Sequence, residues 1–193
     1  MMTRSGWRRL ALVAAVLLLV VGALLWREQL RRQQAREALA RIAELRERSA
    51  PPVRHVDDAR ALFAATLPRA DGGELALSTL RGRALVVNFW ASWCPPCIAE
   101  MPELSQFAQQ HPGIQLLGVA VDDAKPVQDF LQRSPVSYPV LVAGDRGIDL
   151  IDALGDVQHD LPYTVVIAAD GRVVAQHLGR IDRATLQRLV DRR

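Results

Sequence analysis

The spacing of apolar positions divides the chain into three stretches. Leu10 to Trp26 is an uninterrupted apolar run of seventeen residues, preceded by Arg4, Arg8 and Arg9 and bracketed by Trp7 and Trp26. That length is at the lower edge of the ~17–25 residues that cross a bilayer, and tryptophans favour its interfaces. The run reads as a transmembrane signal-anchor over 10–26, with 1–9 as a cytoplasmic tail. A cleaved signal peptide competes, since Val21-Gly22-Ala23 supplies small residues for a cut. The apolar run continues through Leu24, Leu25 and Trp26, however, which favours the anchor. Residues 28–48 contain neither Gly nor Pro and are rich in Ala, Leu, Arg and Glu, all strong helix formers. Ala35, Leu39, Ile42 and Arg46 follow a heptad-like spacing, but only Leu39 and Ile42 are large and apolar. Region 27–52 therefore reads as a solvated helical stalk and linker, with a dimeric coiled coil as the alternative. Pro51-Pro52 ends the stalk.

Beyond residue 52 the period alternates between strand and helix. Leu62–Leu67 and Glu74–Leu77 flank Asp71-Gly72-Gly73 and predict a hairpin. Ala84–Trp90 and Ile114–Val121 are apolar runs of buried-strand character. Pro96–Gln110 places Ile98, Met101, Leu104 and Phe107 at helical spacing. Lys125–Arg133 and Asp145–Leu154 predict two further helices, the second closed by Gly155. Thr164–Ala168 and Arg172–Leu178 pair across Ala169-Asp170-Gly171 as a second hairpin. A last amphipathic helix runs over Asp182–Val190, with Asp182 as its N-cap. The pattern over 53–193 is that of one mixed α/β sandwich.

Charge sharpens this division. Residues 1–52 carry ten arginines against four glutamates, whereas 53–193 carry thirteen arginines and one lysine against seventeen acids. The overall net charge of +3 thus belongs to the N-terminal segment, and the folded part is mildly acidic. Nucleic-acid binding needs a basic patch on the domain itself, so that class is set aside. Arginines flank both ends of the apolar run, so they do not decide its orientation. Cys94 and Cys97 stand two residues apart, and such a redox pair belongs in an oxidising compartment, which predicts a domain outside the cytoplasmic membrane, facing the periplasm or the cell exterior.

The chain holds two cysteines, Cys94 and Cys97, with two residues between them. A disulfide framework would use four or more cysteines, and a structural zinc site four ligands; His55, His111, His159 and His177 show no ligand spacing. No metal and no cofactor is called for. Cys94 falls between a buried strand and a helix start, where unpaired N–H groups and the helix dipole stabilise a thiolate. Such surroundings lower a Cys from near ~8.5 to roughly 3.5–7.5. Cys97, one turn inward, is expected to be more buried and held as the thiol. Cys94 then attacks a substrate disulfide and Cys97 resolves the mixed disulfide. Pro95 and Pro96 suit a first helical turn. They also remove two amide donors, which favours a less depressed thiol and hence a reductase. Trp93 is expected to cover the disulfide at the substrate-binding face, and Trp90 to pack beneath it.

The run Phe89-Trp90-Ala91-Ser92-Trp93-Cys94-Pro95-Pro96-Cys97 resembles the active site of the thioredoxin superfamily. The continuation Glu100-Met101-Pro102-Glu103-Leu104 is similar to its TlpA/ResA/CcmG-like branch of membrane-tethered extracytoplasmic thiol reductases. The resemblance covers roughly residues 60–190. It implies a thioredoxin-like three-layer sandwich with a mixed central sheet and an N-terminal hairpin. It also implies a cis-proline loop at Leu161-Pro162-Tyr163-Thr164 lying against the cysteines, with Leu161 offering its backbone to substrate by strand addition. Asn88 stands where cytosolic thioredoxins keep a proton-moving Asp. In the tethered branch a Glu three residues after the second Cys substitutes, which is Glu100 here. The implied partners are protein thiols and disulfides, a membrane thiol-electron donor, and the membrane itself through the N-terminal helix. Relatives serve cytochrome c maturation or copper-site assembly, and no residue here separates those substrates. The absence of a clear acidic mid-chain insertion disfavours the former. Two alternatives stay open: reversed electron flow, as a disulfide oxidase or isomerase, and Cu(I) binding by Cys94 and Cys97 as soft thiolate ligands.

Overall fold

The computed structural model describes residues 22, 24, 26–36 and 53–192. It separates into two units that divide between Pro52 and Val53. In the first, residues 26–36 are helical, with Arg32 Nε 3.1 Å from Glu28 Oε1 one turn away. Among the described residues no helix is long and apolar enough to cross a membrane. Of the run 10–26 only Gly22, Leu24 and Trp26 are described, so the expected anchor, the tail 1–9 and most of the stalk lie outside the described residues.

The second unit is a three-layer α/β sandwich. Its first element is a departure from the sequence pattern. Leu62 and Phe63, expected to open a strand, sit instead in a single helical turn, α1 (Arg60–Phe63). The Asp58 carboxylate accepts from Arg60 N–H at 3.0 Å and so starts the turn, which buries both side chains. The hairpin then forms from the shorter strands β1 (Thr66–Pro68) and β2 (Glu74–Ala76), paired antiparallel. Gly72 and Gly73 take φ of 107° and 75° between them, a region that costs glycine little.

The remaining strands are β3 (Ala84–Trp90), β4 (Ile114–Ala120), β5 (Val140–Val142), β6 (Tyr163–Ile167) and β7 (Val173–Leu178). They form one five-stranded sheet in the order β5-β4-β3-β6-β7. β5, β4 and β3 run parallel, while β6 and β7 are antiparallel to their neighbours. Strand β5 is unmarked in the sequence, because a three-residue strand shows no period. The helices are α2 (Pro95–Gln110), α3 (Ala124–Arg133), α4 (Arg146–Ala153) and α5 (Arg183–Val190).

Every residue of β3 is buried, because both faces of the sheet are covered. Val86 and Trp90 pack with Met101, Leu104, Phe107, Val127, Phe130 and Leu186, beneath α2, α3 and α5. Leu85, Val87 and Phe89 pack on the other side with Leu62, Phe63, Leu150 and Ile151, beneath α1 and α4. This alternation places Asn88, between Val86 and Trp90, on the α2 face.

Candidate active site

The site is built where β3 ends and α2 begins. After Trp90 the chain crosses Ala91–Trp93 and enters the helix, with Cys94 as N-cap and Pro95 and Pro96 as the first two helical residues. Prolines there forfeit only N–H groups that had no helical partner. The one N–H left to the Cys94 sulfur comes from Cys97, whose nitrogen is 3.4 Å from Sγ. Cys94 and Cys97 form a disulfide of 1.99 Å; Cys94 is 4% exposed and Cys97 fully buried. The incoming loop is clamped by Asp122, just past β4, whose Oδ2 accepts from Ser92 N–H at 3.0 Å and from Ser92 Oγ–H at 2.5 Å.

One turn past Cys97, Glu100 points into the sheet and is fully buried. Asn88 Nδ2 donates to its Oε1 at 2.7 Å and also to Thr164 Oγ1 at 3.1 Å. Ile181 N–H, just ahead of α5, donates to the other carboxylate oxygen at 2.8 Å. Burial pushes the Glu100 carboxyl up to about 7, with a smaller push from Glu103, against the pull of the Ile181 N–H, the Asn88 amide and Arg180. A buried carboxyl holding that balance can both take and release a proton near neutral pH.

The Leu161–Pro162 bond is cis. β6 pairs Tyr163 with Phe89 and Thr164 with Asn88, so Pro162 stands beside the end of β3 from which the chain turns to Cys94. Its carbonyl accepts from Gly179 N–H at 2.8 Å, and Leu161 is half-buried between the two cores. Trp93 is 67% exposed. With Val121, Asp122, Gly144 and Ile148 it lines a groove of about 320 Å³.

Cys94, Cys97 and Glu100 thus gather on one helix, with Pro162 on the adjoining strand end. Sequence reasoning did not find the Asp122 clamp, Thr164 as second recipient of the Asn88 amide, or the Ile181 donor. All three are contacts across long stretches of chain and leave no spacing signal. Among the described residues no cluster of three or more His, Cys, Asp or Glu is placed to hold a metal ion.

Residues 49–190 match the Redoxin family. Among curated relatives, the thiol-disulfide oxidoreductase ResA of Halalkalibacterium halodurans is 29% identical over 124 residues, covering 63% of this chain and 68% of its own. ResA of Bacillus subtilis is 34% identical over 113 residues, 56% of this chain and 60% of that one. A solved structure of a secreted Mycobacterium tuberculosis disulfide oxidoreductase homologous to E. coli DsbE superposes with a TM-score of 0.59 at 26% identity, covering 69% of this chain and 98% of that one. The chain therefore belongs to the Redoxin family of the thioredoxin superfamily, among its ResA-like thiol–disulfide oxidoreductases.

Proposed function

We propose that residues 53–193 are the catalytic domain of an extracytoplasmic protein-disulfide reductase. A signal-anchor over 10–26 and a stalk over 27–52 tether it to the cytoplasmic membrane, with 1–9 on the inner side. The apolar run with its flanking arginines supports the tether, and the secreted relative supports the compartment. In the dithiol form Cys94 thiolate attacks a substrate disulfide, forms the mixed disulfide and releases one substrate thiolate. Glu100 takes the proton of Cys97, whose thiolate attacks Cys94 Sγ, closing the Cys94–Cys97 disulfide and releasing the second substrate thiolate. A membrane dithiol donor returns the pair to its reduced form. Trp93, Leu161 and Pro162 receive the substrate chain, Leu161 through its backbone.

The observation that carries this reading is the buried Glu100 carboxyl, held at about 7 one turn from Cys97. The test uses the full chain, reduced and mixed with a disulfide-bonded protein such as insulin. Each chain is expected to reduce one substrate disulfide and return to the Cys94–Cys97 form, and Cys97→Ala to stop with the substrate bound to Cys94. A substrate left oxidised, or an adduct elsewhere, overturns the reading. Equilibration with glutathione sets the direction: a potential below about −200 mV supports a reductase, and one near about −120 mV an oxidase.

A further inference from the structure

Beneath the disulfide, three buried polar atoms on the α2 side of the sheet lack a protein partner: Asn88 Oδ1, Trp90 Nε1 and the Tyr138 hydroxyl. Asn88 and Trp90 are fully buried and Tyr138 is 6% exposed. Three features bring them together. Asn88 and Trp90 are alternate residues of β3 and share its α2 face. Gly118 of β4 is the register partner of Asn88. A side chain at Gly118 would meet Tyr138 Cε2 at 3.0 Å and Trp90 Nε1 at 3.2 Å, so the phenol ring and the indole N–H converge on the strand position beside Asn88.

The chemistry of the three atoms is complementary. The indole N–H donates, the amide oxygen accepts and the phenol does both. A buried water makes about three hydrogen bonds to otherwise unpaired groups, and leaving such groups bare costs about 1–3 kcal/mol each. Asn88 joins this trio to the known site, because its Nδ2 is bonded to Glu100. The Glu100 charge also raises the Tyr138 phenol, alongside the larger effect of burial. Tyr138 also borders the surface, although its hydroxyl is buried. With Gln128, Leu131, Pro135, Val136 and Val140 it lines a surface cavity of about 410 Å³.

We propose that Tyr138 is a positioning residue for the proton of Glu100: with Trp90 Nε1 and Asn88 Oδ1 it holds internal water that links the carboxyl to solvent through the cavity beneath α3. The inference rests on the reading of Glu100 as the proton acceptor of Cys97. When the mixed disulfide is resolved, the Cys97 proton passes to Glu100. It then passes to the water directly, not through the Asn88 amide, and on to the phenol, which gives up one proton as it receives another; Glu100 is left as the carboxylate, ready for the next cycle. The cavity shares no lining residue with the groove that holds Trp93. The ionisable groups facing Glu100 are Glu103 on its own helix, Arg180 ahead of α5 and Tyr138 ahead of β5, and of these Tyr138 alone lines this cavity.

The test uses the full chain in detergent. Water–protein NOE spectra of the oxidised protein are expected to show long-lived water at the Trp90 indole N–H. Tyr138→Phe, which keeps the ring and removes only the hydroxyl, should slow mixed-disulfide resolution by about tenfold and enlarge its solvent isotope effect. Its equilibrium redox potential should stay that of the parent. Glu100→Gln should slow resolution by about a hundredfold, and adding Tyr138→Phe to it should change nothing more. If Glu100→Gln slows resolution and Tyr138→Phe does not, the outlet is wrong and the base stands. If neither slows it, the reading of Glu100 fails and takes the outlet with it. An indole N–H without water contact overturns the proposal by itself.

Discussion

On the α1/α4 side of the sheet, Leu85, Val87, Phe89, Leu117, Val119 and Val165 meet an apolar layer. The Tyr163 hydroxyl placed there donates to Leu154 O at 2.6 Å and accepts from Gln176 at 2.9 Å. On the α2 side, between Val86 and Trp90, the same strands embed Asn88, Thr164 and Glu100 beneath a disulfide, and leave three polar atoms without a protein partner. Both sides exclude water, and each borders a carboxyl whose burial is costly: Asp156, past the end of α4 and near Tyr163, with Oδ2 unpartnered, and Glu100, one turn from Cys97. The first side is otherwise an apolar layer, while the second gives up some stability to hold its carboxyl near neutrality beneath the disulfide.

Removing a sulfur is the harshest way to break this comparison. Cys97→Ala is expected to abolish turnover altogether while the fold melts close to the reduced parent, since against that dithiol form it replaces one small buried side chain with another. On the opposite side, Phe89→Ala removes a fully buried ring that stacks on Tyr163 at 6.2 Å. It should cost about 3–5 kcal/mol in denaturant unfolding and leave the disulfide-exchange rate of the folded fraction within about twofold.

Glu100 sharpens the contrast through pH. Its folded value of about 7 lies above the ordinary 4.5, so the native state holds its proton more tightly than the unfolded chain. This contribution to stability is fully present below about pH 4.5, is lost as pH rises towards about 7 and is flat above that, about 3 kcal/mol in all. Urea unfolding across that window should show the slope, and Glu100→Gln should remove it. The smallest effect belongs to exposed Trp93. Trp93→Ala should move stability by less than about 0.5 kcal/mol and register instead as weaker substrate binding, a higher KM at unchanged kcat.

The legible parts of the molecule were those written in local spacing. The run Trp93-Cys94-Pro95-Pro96-Cys97, the helix after it and the strand before it could be read directly, because periodicity and the proline pair are properties of neighbouring residues. The Leu161–Pro162 cis bond and Glu100 were legible only through resemblance. Their meaning lies in what they face, Pro162 beside the end of β3 and Glu100 against Asn88 and Ile181 N–H. Strand β5 and the α1 turn were missed because three or four residues show no period. The Asp122–Ser92 clamp spans thirty positions, and Tyr138 reaches the site only through the strand order that sets β5 beside β4. Such pairings are settled by topology, which no local pattern encodes.

The proposed exchange cycle turns on Glu100 taking the proton of Cys97. The most direct measurement is the pH dependence of mixed-disulfide resolution in the full chain, with and without Glu100→Gln. The rate is expected to rise through an inflection near pH 7 in the parent and, in the variant, to be slower with that inflection gone. The same inflection in both proteins would contradict it.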